Sequence, residues 1–253
     1  MARPFELLLN GLFRLFVRVA SRMDPWVRFE IHDATRAPLR ENFLTDLAQF
    51  RARAYQKRLP HLAEKFTLQA GGTEENHESH WDLRSIHVIA RRRYPFSLSP
   101  FPREEKIIAA VRFTPAPFEM NDFIELNHDE QANLEKDALE IGRLISNTRI
   151  PFVGRRLLFI GGEYIWSNTR YRALAAICRA EKLPLFQSFG LKPISEPFWF
   201  DERKGNYTVI WGDLTSVISA VRGAFKKRLR EYFRFKPRRA LPGYSGSKKG
   251  KSG

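Results

Sequence analysis

Short apolar segments, several of them rich in β-branched residues, recur along the middle of the chain and are separated by polar or turn-forming residues. Such segments predict strands, and we expect them at residues 85–90, 106–114, 139–146, 172–177, 191–200 and 207–211. Apolar residues at helical spacing predict helices at residues 41–59, 153–166 and 178–189. Strands that first follow one another and then alternate with helices predict an α/β fold, with a mixed central sheet flanked by helices.

An amphipathic helical pattern occupies the N-terminal segment, where Leu8, Leu12 and Val19 share one face. Arg14 and Arg18 lie on another face and interrupt the apolar run, which disfavours a secretory signal. A membrane helix lying in the bilayer plane and a helix packed on the protein's own core both fit this pattern. No apolar run reaches the length of about 18 residues that a transmembrane helix needs, so we expect none.

A second amphipathic helix is predicted from Val217 to Tyr232, and a low-complexity tail that we expect to be disordered follows it. The chain has a net charge of +15, and the segment from Arg222 to Gly253 holds twelve basic residues and one acid. The rest of the chain is only weakly basic. A nucleic-acid interface across the whole chain is therefore not expected, although a local basic arm stays open.

These patterns divide the chain into three parts. An amphipathic helix and a linker, which lies between Pro25 and Pro38, precede the main folded domain, and a basic amphipathic helix with the tail follows it. The three parts are residues 1–40, 41–213 and 214–253.

Three charged residues lie within otherwise apolar predicted strands: Arg112, Glu140 and Arg143. Residues three apart in a strand normally face opposite sides, but a bulge at Gly142 would let Glu140 and Arg143 reach one cleft. A carboxylate in a cleft can act as a general base, and a guanidinium can hold a carboxylate or a phosphate. The alternative is an internal ion pair that fixes the strand register.

Taken in order along residues 41–213, four short motifs resemble those of the acyl-homoserine-lactone synthases. They resemble equally those of the long-chain N-acyl amino acid synthases and the PEP-CTERM/exosortase-associated acyltransferases, all members of the GNAT superfamily. The motifs are Arg51 with Tyr55, Asp82 with Ser85 and His87, Arg112, and Glu140 with Arg143.

The resemblance implies a GNAT fold with two splayed central strands, and it implies roles for individual residues. Glu140, Arg143 and Arg112 match the catalytic positions. Ser79 stands where the first acid of an Asp-x-x-Asp element would be, which argues against S-adenosylmethionine as the amine donor. The residues that would bind substrate are Arg51, Tyr55, Asp82, Ser85, His87, Leu144 and Ser146.

The activity implied is N-acyltransfer, in which a long-chain acyl group moves to the amino group of an amino acid or related amine. The thioester would enter between the splayed strands at residues 140–146 and 172–177. Glu140 would take a proton from the amine, directly or through water, and Arg112 or Arg143 would hold the substrate carboxylate. We expect no permanently bound cofactor, since the donor is an acyl-phosphopantetheine thioester.

The donor is predicted to be acyl carrier protein, with acyl-CoA as the alternative. GNAT enzymes bind the pyrophosphate of coenzyme A in a glycine-rich loop at a helix N-terminus, but here the loop has only Gly154, and Pro151 lacks an N–H donor. Basic residues would dock the acidic carrier, although solvated surface arginines are the alternative. The docking candidates are Arg149, Arg155, Arg156, Arg170 and Arg172.

The remaining expectations concern metals, thiols and location. The single cysteine, Cys178, excludes a disulfide framework and a multi-cysteine metal site, and His77, His80 and His87 lack ligand spacing, so we expect no metal. The two terminal amphipathic segments predict a cytoplasmic protein held peripherally on the anionic inner face of the membrane. The competing hypothesis is a non-enzymatic, basic membrane- or nucleic-acid-binding protein on a degenerate GNAT scaffold.

Overall fold

A computed structural model of the protein describes residues 27–56, 59–60, 63–64, 77–93, 105–124, 128–148, 150 and 153–223. The N-terminal amphipathic segment and most of the C-terminal basic segment lie outside these residues, so the expectations about them stay predictions, as do the domain boundaries. None of the described helices combines the length and apolar character needed to cross a bilayer.

One sheet of eight strands forms the centre of the molecule, in the order β1-β2-β3-β4-β5-β8-β6, with β7 also paired to β8. Among the described strand pairs, β4–β5 is parallel and the others are antiparallel. The strands are β1 (Val27–Asp33), β2 (Ile86–Arg92), β3 (Ile107–Thr114), β4 (Ala138–Ser146), β5 (Ala173–Arg179), β6 (Lys192–Pro193), β7 (Phe198–Phe200) and β8 (Gly205–Asp213). The predicted mixed α/β fold is confirmed.

Helices cover both faces of this sheet. The described helices are α1 (Glu41–Tyr55), α2 (His77–Asp82), α3 (His128–Asp137), α4 (Val153–Asn168), α5 (Leu183–Gln187) and α6 (residues 214–223). The apolar face of α1 packs Phe43, Leu47 and Phe50 against one side of the sheet, while α4 packs on the opposite side. Burial of these two apolar stripes is what holds the layers together.

Close contact between α4 and the sheet depends on Gly161. A Cβ atom at this position would lie 2.4 Å from a ring carbon of Phe113, nearer than two carbon atoms can approach. Phe113 is fully buried in β3. Glycine therefore allows the helix to lie directly over the sheet at this point.

Three local predictions are wrong, and the first two fail because pairing with a neighbouring strand overrides the local pattern. The stretch expected to be a linker contains β1, whose residues pair with β2 from Val27 to Asp33. The helix expected at residues 178–189 starts only at Leu183, because residues 173–179 pair with β8 along their whole length. The strand expected at residues 191–200 is reduced to β6 and β7.

The parallel strands β4 and β5 separate partway along their length. Their pairing covers Ala138 with Ala173, Leu139 with Leu174 and Glu140 with Ala175, and the described ladder ends there. Beyond Glu140 the two strands no longer share backbone hydrogen bonds, which confirms the expected splay. The opening between them is where the candidate site lies.

Candidate active site

A β-bulge brings Glu140 and Arg143 to the same opening. In the β3–β4 ladder Ala110 pairs with Ile145 whereas Arg112 pairs with Gly142, so β4 contains one extra residue in this interval. Arg143 takes a left-handed conformation with φ of 52°. The predicted bulge is confirmed, although the residue with positive φ is Arg143 rather than Gly142.

A cavity of about 650 Å³ fills the space between the splayed strands. Its walls come from the separated parts of β4 and β5, from a short 3₁₀ helix at Glu119–Asp122, and from the C-terminal end of α1. Among the predicted site residues, Glu140, Arg143, Leu144 and Tyr55 line this cavity. A volume of this size is in the range of small-molecule sites.

Behind the cavity wall, charged side chains of alternating sign form a continuous network. Arg51 donates two hydrogen bonds to Asp82, at 2.5 and 3.0 Å. Arg112 donates to Asp82 at 3.1 Å and also to Glu119, whose other carboxylate oxygen accepts a hydrogen bond from Arg143 at 2.5 Å. The network thus leads from α1 through the sheet to the cavity.

Arg112 and Arg143 occupy different positions with respect to the cavity. Arg112 is 0% exposed and does not belong to the cavity lining, so its guanidinium serves to hold Asp82 and Glu119. Arg143 lines the cavity but is paired with Glu119. Both guanidinium groups are therefore engaged by protein carboxylates in this structure.

Glu140 has the electrostatics that a general base requires. Its Oε2 accepts a hydrogen bond of 2.6 Å from the backbone N–H of Glu119. Burial and then the neighbouring charge of Glu119 raise the pKa of Glu140 from 4.5 to about 7, while Arg112 acts in the opposite direction. A carboxyl with this pKa exchanges its proton near neutral pH, which suits proton transfer during catalysis.

The other buried residues of the predicted motifs hold the network in place. Burial by itself raises the pKa of Asp82, but Arg51 and Arg112 hold it well below its usual range. Burial lowers the pKa of His87 to about 4, and its Nε2 donates to the backbone oxygen of Asp82 at 2.9 Å. Ser85 donates to the backbone oxygen of Trp81 at 2.5 Å.

Six further residues of the predicted site lie away from the cavity or outside the described residues. Ser146 is exposed at the end of β4, and Arg149 lies outside the described residues. Of the docking candidates, Arg155 and Arg156 lie in the first turn of α4, over the rings of Phe189 and Phe29.

The remaining docking candidates, Arg170 and Arg172, follow the other end of α4. Because α4 has 16 residues, its two ends are about 24 Å apart. Arg172 donates to the backbone oxygens of Thr169 and Tyr171. The four described docking arginines therefore form two separate pairs, not the single patch that the sequence predicts.

Sequence reasoning missed Glu119, which lies at the centre of the charged network. Glu119 follows a proline-rich turn after β3, where the sequence has no helical or strand periodicity. Its position beside Arg112 therefore becomes visible only in the folded chain. The nearest signal in the sequence is an acid seven residues after that buried arginine.

A second missed group lies on the opposite wall of the cavity, around Tyr207. The side chain of Arg179 donates to the Tyr207 hydroxyl at 3.0 Å and to the backbone oxygen of Arg203 at 3.2 Å. The Arg203 guanidinium lies 5.2 Å from the ring centre of Phe200 and 5.9 Å from that of Tyr207. Nearby, burial raises the pKa of Cys178 to about 11, which leaves its thiol unreactive.

Comparison with known proteins shows that several solved structures share this fold. No family model and no curated protein sequence matches the chain. Among solved structures, the CoA-dependent acyl-homoserine lactone synthase BjaI matches with a TM-score of 0.53 at 13% identity, covering 79% of this chain and 90% of BjaI. The acyl-homoserine lactone synthase LasI matches with a TM-score of 0.50 at 11% identity, covering 78% of this chain and 95% of LasI. TofI in its apo form matches with a TM-score of 0.50 at 15% identity, covering 77% of this chain and 96% of TofI.

Proposed function

Starting from a chain that has the fold of the GNAT acyltransferases, we propose that this protein is an N-acyltransferase. It moves a long-chain acyl group from a phosphopantetheine thioester to the amino group of an amino acid or related amine. One observation carries the proposal: Glu140, with a pKa of about 7, lines a cavity at the point where β4 and β5 separate. A shared fold alone would not be sufficient, because one fold serves many functions.

The acceptor amine is the first reactant that the site must prepare. An ammonium group has no lone pair, so a proton must leave nitrogen before or during the attack. Ionised Glu140 accepts this proton, directly or through one water molecule. Burial strengthens the basicity of Glu140, and a positioned base typically contributes about 10²–10⁴-fold to the rate.

The thioester carbonyl is the second reactant. Beyond Glu140 the facing edges of β4 and β5 no longer bond to each other, which leaves backbone N–H groups available to polarise the carbonyl oxygen. A pre-positioned donor of this kind is typically worth about 3 kcal/mol in the transition state. The amine nitrogen bonds to the carbonyl carbon and the C–S bond breaks. The ammonium nitrogen loses two protons overall: Glu140 takes the first and passes it to solvent, then takes the second and passes it to the departing thiolate, which leaves as the thiol.

Acyl carrier protein is our first choice of donor and acyl-CoA the second. The basis for the carrier protein is the loop before α4, which is poor in glycine and contains Pro151. The described docking arginines are separated into two pairs, so a single basic patch no longer supports acyl carrier protein as the donor. BjaI, described as CoA-dependent, makes acyl-CoA the natural second donor to test.

The second candidate function is a non-enzymatic binding protein on a degenerate GNAT scaffold. It predicts that Glu140 and Arg143 are buried together without a cavity beside them. Both residues line the cavity between the splayed strands, and this observation favours the enzyme. We also propose that the protein binds a membrane surface, on the basis of the two amphipathic terminal segments of the sequence.

Mass spectrometry tests the proposed activity directly. Lipid extracts of cells that overproduce the protein, and reactions of purified protein with long-chain acyl carrier protein or acyl-CoA and mixed amines, should contain a new N-acyl product. Glu140→Gln keeps the size of the side chain and its hydrogen-bond acceptor, and should lower the rate by about 10²-fold or more.

The matched control is Glu196→Gln, which alters an exposed carboxylate in the segment between β6 and β7. It should leave the rate unchanged. Absence of any product with either donor, or full activity in the folded Glu140→Gln protein, would contradict the proposal.

A further inference from the structure

The cavity must hold any charged group that the acceptor carries, and two of the expected arginines are already engaged. Arg143 pairs with Glu119, and Arg112 pairs with both Asp82 and Glu119 behind the cavity wall. A substrate carboxylate bound by either would have to compete with a buried protein carboxylate. Such a competition is unfavourable, because it leaves a buried charge without its partner.

Arg179 and Arg203 also line the cavity, and no buried carboxylate among the described residues is bound to them. Glu181, whose side chain is 61% exposed, attracts Arg179 only from a distance. Neither forms an ion pair with a carboxylate among the described side chains, and both lie within 6 Å of the Tyr207 ring centre, at 5.8 and 5.9 Å. Two hydrogen bonds, to the Tyr207 hydroxyl and to the Arg203 backbone oxygen, fix the orientation of Arg179. A pre-oriented guanidinium suits planar, two-point recognition of a carboxylate.

The position of Arg179 in β5 gives its distance from Glu140, the proposed base. Glu140 pairs with Ala175, and Arg179 follows Ala175 by four residues on the same face of β5. At the rise of a strand, this separation is about 13 Å along β5. An anion bound by Arg179 therefore lies well beyond the carbon next to a reacting amine.

We propose that Arg179 and Arg203 form a subsite for the carboxylate of the acceptor, and that the preferred acceptor is an amine whose carboxylate is separated from its amino group by a spacer of several bonds. Chemically, this is the class of ω-amino acids and short peptides. The inference rests on the proposed function, since it takes the amine to react beside Glu140. Lys182 also lines the cavity, but its side chain is 59% exposed and contributes mainly long-range attraction.

Product analogues of different lengths measure the position of the subsite without any need for turnover. The probes are N-dodecanoyl-glycine and N-dodecanoyl-6-aminohexanoate, each as the free carboxylate and as the methyl ester. Isothermal titration of the full chain should show a preference for the carboxylate over the ester. That preference should be larger for the 6-aminohexanoate probe.

Arg203→Met should weaken binding of the long carboxylate probe by about tenfold or more and leave the ester unaffected. Arg179→Met provides a second, independent removal of one guanidinium. The matched control is Arg40→Met, at the exposed N-terminus of α1, which should change neither affinity.

Several results would overturn the inference. Equal affinities for carboxylate and ester, a larger preference with the glycine probe, or a preference that survives Arg203→Met would each do so. Loss of 4′-phosphopantetheine affinity in Arg203→Met, without loss of carboxylate preference, would assign the pair to the donor phosphate instead. If the wild-type protein shows the expected preference but no acyl transfer with any donor, the subsite stands and the proposed function fails.

Discussion

Glu119 affects Glu140 in two opposite ways. Its carboxylate raises the pKa of Glu140 through charge repulsion, whereas its backbone N–H stabilises the ionised form. The same carboxylate holds the guanidinium of Arg143. A single residue from a 3₁₀ helix therefore links the proposed base to the buried ion-pair network.

Substitution of Glu119 by Gln should lower the pKa of Glu140, because the repulsive charge disappears while the backbone donor stays. The ionised base would then persist to lower pH. We expect the acidic limb of the kcat/KM profile for acyl transfer to move towards lower pH by about one unit. An unshifted limb in a variant with native circular dichroism would show that Glu119 does not tune Glu140.

The raised pKa of Glu140 also affects stability. The folded protein binds this proton more tightly than the unfolded chain, whose carboxyl titrates near 4.5. The stabilising contribution is therefore fully present below pH 4.5 and is lost as the pH rises through 7. Glu140→Gln should gain stability relative to the wild type between pH 5 and pH 8, by up to about 3 kcal/mol. Urea denaturation at both pH values measures this change, and a pH-independent difference would contradict it.

His87 behaves in the opposite direction, because burial depresses its pKa from 6.5 to about 4. Its neutral form stabilises the fold above pH 6.5, and this contribution is lost as the pH falls towards 4. His87→Gln should therefore be less stable than the wild type at pH 7, where it loses a ring packed against Phe43. Its deficit should shrink at pH 4.5, and a deficit that grows on acidification would rule out a neutral, buried His87.

At the scale of elements, the sequence predicts most of the sheet and the two long helices, because their apolar patterns are unambiguous. The sequence predicts too early a start for α5, because Cys178 and Arg179 fit a helical pattern locally but pair with β8 in the fold. The strand expected at residues 191–200 is divided into β6 and β7, and Pro197, which has no N–H to donate, lies between them. Local propensity cannot report such long-range pairing.

Helix α4 offers a matched test of helix–sheet packing. Gly161→Ala would place a methyl group against the ring of Phe113, at a position 2.4 Å away, and should destabilise the protein by about 1–3 kcal/mol. Gly154→Ala lies in the same helix, and outside its own helical backbone and chain neighbours no described atom lies within 4 Å of the new Cβ, so it should be neutral or slightly stabilising. Denaturant melts of both variants measure the difference, and equal effects would show that close packing at Gly161 does not matter.

For the molecule as a whole, the sequence motifs include the proposed base and most of the ion-pair network, but neither Glu119 nor the other half of the cavity. The motif residues lie in regular helices and strands, so their spacing along the chain indicates which of them share a face. They are Glu140, Arg143, Arg51, Asp82 and Arg112. The pair around Tyr207 joins the end of β5 to a 3₁₀ helix after β7, and only the folded sheet brings these segments together. Contacts between segments that are distant in the sequence produce no periodic pattern of residues from which they could be predicted.

We propose above that Glu140 is the base for acyl transfer in the opening between β4 and β5. The most direct test is the pH dependence of kcat/KM for amide formation by the purified full chain. We predict a tenfold rise per pH unit below about 7, a plateau above it, and no such ionisation in the residual activity of Glu140→Gln. A wild-type profile without an ionisation near 7, or the same profile in Glu140→Gln, would contradict the claim.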